Sequence, residues 1–237
     1  MIISKCVFIG AAGAGKTQLL NRINERPFNQ RYNPTIGVDF FSKTSRQIKL
    51  QIWDTAGQKN YRSLTPLYYR STKIAVFCID LSKEINTTEI QQEIATFKEH
   101  VDDASIFLVG TKSDLCPETA QKKINDIQIE GITERFCTSA KNETGLEQLL
   151  DSLIQASEDH HIEAEQSLWE ERINQLQNSL KDLPADKKDA INRWSRYLVI
   201  DFSHPWLKST RQRAKCLTPT VLRPARCAER ASVCLPQ

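Results

Sequence analysis

A chain of 237 residues has room for one full domain with an appendage, or for two small domains. With 40% hydrophobic and 26% charged residues it has a soluble, globular balance, and its 8 glycines and 9 prolines are too few for a collagen-like or low-complexity polymer. The net charge of +3 is uneven: from Ser203 to Gln237 seven basic residues face one acid, a net +6, so the rest carries −3, which argues against nucleic acid as the partner of the body. No run reaches the roughly 18 uncharged apolar residues of a membrane-spanning helix. Lys5 and Gly10 interrupt the start before a signal-peptide core could form. Seven scattered cysteines without CxxC spacing predict reduced thiols in the cytoplasm, not a disulfide framework or a zinc site.

In chain order, residues 2–9 read as a short β-branched strand, followed by a glycine-rich turn and a helical stretch to about Arg26. Residues 38–46 and 48–54 read as two strands with a tight link. Residues 74–80 and 105–110 are near-continuous apolar runs, as expected of strands buried on both faces of a parallel sheet. Between them, Ile90, Ile94, Phe97 and Val101 have helical spacing within 86–101. A helical stretch at 118–130 precedes Gly131 and a strand-like Ile132–Thr138. Residues 144–157 carry a helical apolar face of Leu146, Leu149, Leu150, Leu153 and Ile154. Strands alternating with helices predict an α/β domain over 1–157 with a mostly parallel sheet.

After Ala156 the pattern changes. Trp169, Ile173, Leu176, Leu180 and Leu183 form an a/d seam, Pro184 punctuates, and Ile191, Trp194, Tyr197 and Leu198 line a second amphipathic stretch. This predicts a helical hairpin at 158–202 that buries its own stripe or docks on the body. The alternative is a coiled-coil partner or homodimer contact through 162–183. Residues 203–237 are expected to be a basic, disordered tail, which leaves an anionic membrane surface or an acidic partner open to it.

Gly10-Ala11-Ala12-Gly13-Ala14-Gly15-Lys16-Thr17 matches the phosphate-cradling pattern G-x-x-x-x-G-K-[ST]. Glycines let backbone N–H groups turn inward around a phosphate, and the helix that follows adds its positive end. Lys16 would reach the β- and γ-phosphates, and the Thr17 hydroxyl would ligate Mg²⁺, with Gln18 beside it. Asp54 closes the apolar run Leu50–Trp53 and can hold Mg²⁺ from across the sheet. Gly57 can offer an N–H to a γ-phosphate and Gln58 can orient water. Thr35, in the turn-rich loop Tyr32–Gly37, is suited to closing on the metal. Thr111-Lys112-Ser113-Asp114 and Thr138-Ser139-Ala140-Lys141 each follow a strand, where open α/β sheets bind ligands. Asp114 can accept both N1–H and N2–H₂ of guanine, which adenine cannot supply. Lys112 can lay its stem along the base, and a backbone N–H near Ala140 can donate to guanine O6.

Together with Thr35–Phe40, Trp53–Gln58 and Tyr61–Arg70, these strings make the chain resemble a small GTPase of the Ras superfamily, most of all its Rab branch. The resemblance covers two-thirds of the chain. It implies a P-loop NTPase G-domain with a six-stranded sheet, GTP/GDP and Mg²⁺ as ligands, and slow GTP hydrolysis in a switch of vesicle trafficking. It implies effector proteins, a guanine-nucleotide exchange factor and a GTPase-activating protein as partners, and a cytoplasmic location, peripheral on an endomembrane. It suggests that Phe28 packs near the guanine and that Ile36, Phe40, Trp53 and Tyr68 form an effector surface.

Three departures stand out. Thr111 stands where the family usually has Asn, which predicts weaker nucleotide binding. Lys59 replaces the usual Glu. The C-terminus lacks a double-cysteine ending and instead reads Cys234-Leu235-Pro236-Gln237, formally a lipidation box whose Pro236 fits poorly, so Cys234 is either a lipid site or a coincidence. They motivate an alternative, a nucleotide-binding Rab mimic with little turnover. A P-loop ATPase or nucleoside kinase is disfavoured by Asp114 and Ser139–Lys141.

Overall fold

A computed structural model describes residues 1–31, 33–58 and 65–181. Tyr32, Lys59, the string from Tyr61 to Leu64, the second arm of the expected hairpin, the basic tail and Cys234 lie outside the described residues. The elements in chain order are β1 (Ile2–Ile9), α1 (Lys16–Ile23), β2 (Val38–Ser45), β3 (Ile48–Thr55), α2 (Thr65–Tyr69), β4 (Ile74–Asp80), α3 (Thr87–Lys98), β5 (Ser105–Thr111), a 3₁₀ turn (Ser113–Leu115), α4 (Ala120–Asn125), β6 (Glu134–Cys137) and α5 (Leu146–Lys181).

Six strands form one sheet in the order β2-β3-β1-β4-β5-β6. Only β2 runs antiparallel to its neighbour, joined to β3 by Arg46 and Gln47; the β1–β3, β1–β4, β4–β5 and β5–β6 pairs are parallel. The apolar runs at β1, β4 and β5 alternate between the two faces, as a sheet covered on both sides requires. Cys6, Phe8, Ile74, Val76, Phe107 and Val109 face Leu19 and Leu20 of α1 and Leu149, Leu153 and Ile154 of α5. Val7, Ile9, Ala75, Phe77 and Leu108 face Ile90, Ile94 and Phe97 of α3 and Ile124 of α4. The N-terminus of α3 is capped by Asn86, whose side chain accepts from the Glu89 N–H at 3.2 Å.

Two elements are shorter than the pattern in the sequence suggests. The helix expected over 118–130 is limited to α4, because Ile127 and Ile129, two residues apart, are both buried and pull the chain out of helical spacing. The strand expected over 132–138 narrows to β6, although Thr133 and Thr138 still donate backbone bonds to Ile106 and Gly110 at its ends.

α5 runs unbroken through residue 157, where the body was expected to end; it contains neither Gly nor Pro, and Pro184 comes only after its last described turn. Met1–Glu163 form one compact unit, and the described residues from Ala164 onward fall outside it. Among the described residues no helix is long and apolar enough to cross a membrane.

Candidate functional site

The strand order reverses direction at β1, and there the loops leaving β1, β3, β5 and β6 converge above the sheet. They enclose a cleft of about 450 Å³. Around the glycine-rich turn, one end is lined by Gly13, Gly15, Lys16 and Thr17, with Thr35 beside Thr17 and Gly57 against the turn; around Asp114, the other is lined by Lys112, Ala140 and Lys141; Gln18, Phe28, Gln58 and Thr111 also line the cleft. The turn into α1 needs glycine: Gly15 caps the helix at φ 89°, a left-handed conformation few side chains tolerate. Gly57 backs directly onto this turn, since a Cβ there would lie 2.5 Å from the Ala11 carbonyl carbon and the Ala12 nitrogen.

Lys16 is buried, and its Nζ donates to the carbonyls of Gly10 (2.7 Å) and Ala11 (3.2 Å). Burial lowers its pKa. Beneath the same end, Thr17 Oγ1 donates to Asp54 Oδ2 at 2.5 Å and lies 2.9 Å from Thr35 Oγ1. Asp54 is fully buried, and its other oxygen, Oδ1, has no hydrogen-bond partner. Burial pushes its pKa up to about 6, although hydrogen bonds from Thr17 and the nearby Lys16 charge pull the other way. An orphaned buried carboxylate oxygen beside two hydroxyls is an all-oxygen donor set suited to a hard divalent cation, and Mg²⁺ fits it.

At the other end, Lys112 takes a left-handed φ of 57° and its Nζ meets Asp80 Oδ2 at 2.7 Å. Burial opposes the ionisation of Asp80, but the bonds from Lys112 and Ser82 outweigh it and hold its pKa below the ordinary value. Ser139 Oγ donates to Asp114 Oδ1 at 2.6 Å and accepts from the Asn142 N–H at 3.2 Å, which fixes Asp114 and the following loop in one network. A planar base with adjacent N–H donors matches a carboxylate held this way.

Three of the residues singled out in the sequence stand behind the cleft instead of lining it. Asp54 lies beneath, Ser139 is buried behind Asp114, and Ala14 is buried with its carbonyl accepting from Thr111 Oγ1 at 2.6 Å. Thr111 Oγ1 also lies 3.0 Å from the Ile79 carbonyl. The Thr111 hydroxyl thus joins the glycine-rich turn to β5. Gln18 has a bracing role, with Oε1 accepting from the Asn29 N–H at 3.0 Å in the loop that presents Phe28. Sequence reading missed Asn29, Gln30, Asn33 and Leu115 on the cleft wall. They lack a motif of their own; only adjacence to Phe28, Thr35 and Asp114 could have marked them.

On the edge formed by β2 and β3, Phe40 packs edge-on against Trp53 at 5.6 Å, and Trp53 against Tyr68 at 5.9 Å. Lys5 Nζ lies 4.7 Å above the Trp53 ring. Ile36 and Phe40 are 78% and 54% exposed, more than core residues would be.

The Ras family model matches residues 5–159. The chain is 31% identical to the Ras-related protein YPTC6 of Chlamydomonas reinhardtii over 84% of its own length and 88% of that protein's. It is 33% identical to the Ras-related protein RabC of Dictyostelium discoideum over 65% of this chain and 83% of RabC. It is also 42% identical to the Ras-related protein SEC4 of Saccharomyces cerevisiae over 48% of this chain and 55% of SEC4. With the family match spanning most of the described body and a relative aligned over nearly its whole length, the chain belongs to the Ras family and is a Rab-like small GTPase, an enzyme that hydrolyses GTP.

Proposed function

We propose that the cleft binds GTP and GDP with Mg²⁺, and that the chain is a nucleotide-dependent switch in membrane trafficking that hydrolyses GTP slowly until an activating protein accelerates it. The observation that carries this reading is that two separate loops meet the turn that leads to Lys16 and Thr17: Thr35 Oγ1 lies 2.9 Å from Thr17 Oγ1, and Gly57 backs onto Ala11 and Ala12. A γ-phosphate there would touch both loops, so its loss would release both. Lys16 Nζ would exchange its carbonyl partners for phosphate oxygens, and the Gly57 N–H would donate to the γ-phosphate. Gln58 would orient the attacking water. Thr17, Thr35 and Asp54 would hold Mg²⁺, which when bound supplies positive charge to the β- and γ-phosphates. Asp114, Lys112, Ala140 and Lys141 would select and seat guanine, with Phe28 packed against it.

The Ile36, Phe40, Trp53 and Tyr68 surface would receive effector proteins, since its aromatic pairs adjoin the Thr35 and Gly57 loops and would reshape with them. An exchange factor would open the cleft. The basic tail with Cys234 would add membrane attachment, and the 162–183 seam a coiled-coil contact.

Single-turnover hydrolysis of bound GTP tests the reading. The wild-type chain is expected to purify with guanine nucleotide and turn GTP over slowly, and Gln58→Leu to slow this at least tenfold, roughly the effect of misplacing one reacting group. An unchanged rate in Gln58→Leu removes Gln58 from the chemistry. Retained GTP without turnover in the wild type would make the chain a Rab mimic that captures effectors or exchange factors.

A further inference from the structure

We propose that Arg22 and Glu143 form a clamp that sets how long guanine nucleotide stays bound, a proposal that rests on the nucleotide reading of the cleft. Arg22 sits in the last turn of α1, the helix whose first turn carries Lys16 and Thr17. Glu143 sits on the loop that carries Ser139, Ala140 and Lys141. The two meet through Arg22 Nη2 and Glu143 Oε1. The other terminal nitrogen of Arg22 donates to the Arg26 carbonyl at 2.9 Å, so the guanidinium plane is held from both sides. The Arg22 side chain is only 18% exposed, which limits solvent screening on its side of the pair, whereas Glu143 is 63% exposed.

The loop's base is bonded to β5 through Thr138, and its tip is otherwise tied locally. Its internal bonds, Ser139 N–H to the Thr144 carbonyl at 3.0 Å and Asn142 N–H to Ser139 Oγ, tie it to itself and to Asp114. Glu143 also takes φ 62°, a left-handed conformation that a non-glycine residue keeps only when its surroundings hold it. The ion pair joins this loop to α1. A nucleotide with phosphates at the start of α1 and base against Ala140 and Lys141 would span the two ends that the pair ties together. Its escape would require those ends to part, so breaking the pair would speed release and leave capture nearly unchanged.

The test follows release of a fluorescent GDP analogue from the full chain under an excess of unlabelled GDP. Arg22→Ala and Glu143→Ala are each expected to release about fivefold faster, the scale of a partly exposed ion pair, with association changed less than about twofold. The exchanged pair Arg22→Glu with Glu143→Arg is expected to return release to within about twofold of the wild type. Unchanged release in Glu143→Ala overturns the clamp, and because Glu143 is an exposed loop residue, that variant decides even if Arg22→Ala fails to fold. An exchanged pair that releases as fast as the single variants also overturns it. A wild-type chain that holds no guanine nucleotide overturns the cleft reading itself, which the single variants cannot do.

Discussion

Asp54 would answer to two demands that conflict. In the metal-holding role proposed for it the carboxylate would have to be ionised, yet it is fully buried and its pKa is pushed up to about 6. The unfolded chain releases this proton near the ordinary carboxylate value, so between there and pH 6 the folded, metal-free state binds more protons than the unfolded state. The stability of the magnesium-stripped protein is therefore expected to fall as pH rises through that window, by about 3 kcal/mol at most from this group. Asp54→Asn removes the slope, raising the melting temperature of the stripped protein at pH 7 while abolishing stabilisation by added Mg²⁺. Thermal unfolding with chelator and with excess Mg²⁺ checks both halves. Thr111 offers a second residue-scale test. Its hydroxyl has one hydrogen to donate, and the 2.6 Å bond to the Ala14 carbonyl is the shorter of its two contacts. Thr111→Val keeps the shape and leaves that buried carbonyl unpaired, at a cost of about 1–3 kcal/mol. Chemical denaturation should show the loss, and nucleotide should leave faster, because the phosphate turn loses its tie to β5.

Among the elements, α5 shows how far local pattern carries and where it stops. The apolar spacing of Leu146, Leu149, Leu150, Leu153 and Ile154 marked a helix, and Leu149, Leu153 and Ile154 are buried against the sheet. Leu153→Ala would leave a cavity in this layer and is expected to cost about 3 kcal/mol in chemical denaturation, without altering the cleft residues. The change of side-chain pattern near residue 157 does not interrupt backbone hydrogen bonding, since no glycine or proline intervenes, and α5 continues past it. α4 shows the reverse case: its expected extension was lost because Ile127 and Ile129 gain more from burial than from another helical turn.

For the whole molecule, the central fact is that one cleft has two chemically distinct ends built from segments almost a hundred residues apart, with Lys16 at one and Asp114 at the other. The Thr111 bond joins β5 to the turn at Ala14, and the Arg22–Glu143 pair joins the last turn of α1 to the loop after Ser139. Removing one end should therefore weaken the whole ligand. Asp114→Ala would remove the two charge-assisted bonds proposed to guanine and is expected to lower GDP affinity roughly a hundredfold and to narrow the preference for GTP over ATP. Competition between the two triphosphates for the loaded chain measures this. Equal preference in the wild type would sink the guanine assignment.

The motifs at 10–17, 54–58, 111–114 and 138–141 were legible by themselves because phosphate, metal and base each demand particular residue types at fixed backbone spacing. The apolar runs of β4 and β5 are legible because strands covered on both faces are buried along almost their whole length. Only the tertiary structure decided that Asp54 keeps an unpartnered oxygen, that Thr111 bonds Ala14, and that Arg22 meets Glu143. The last two join positions far apart in the chain, the first depends on what surrounds a buried side chain, and none has a periodicity or local propensity to betray it. They exist because the parallel sheet delivers the ends of β1, β3, β5 and β6 to one rim.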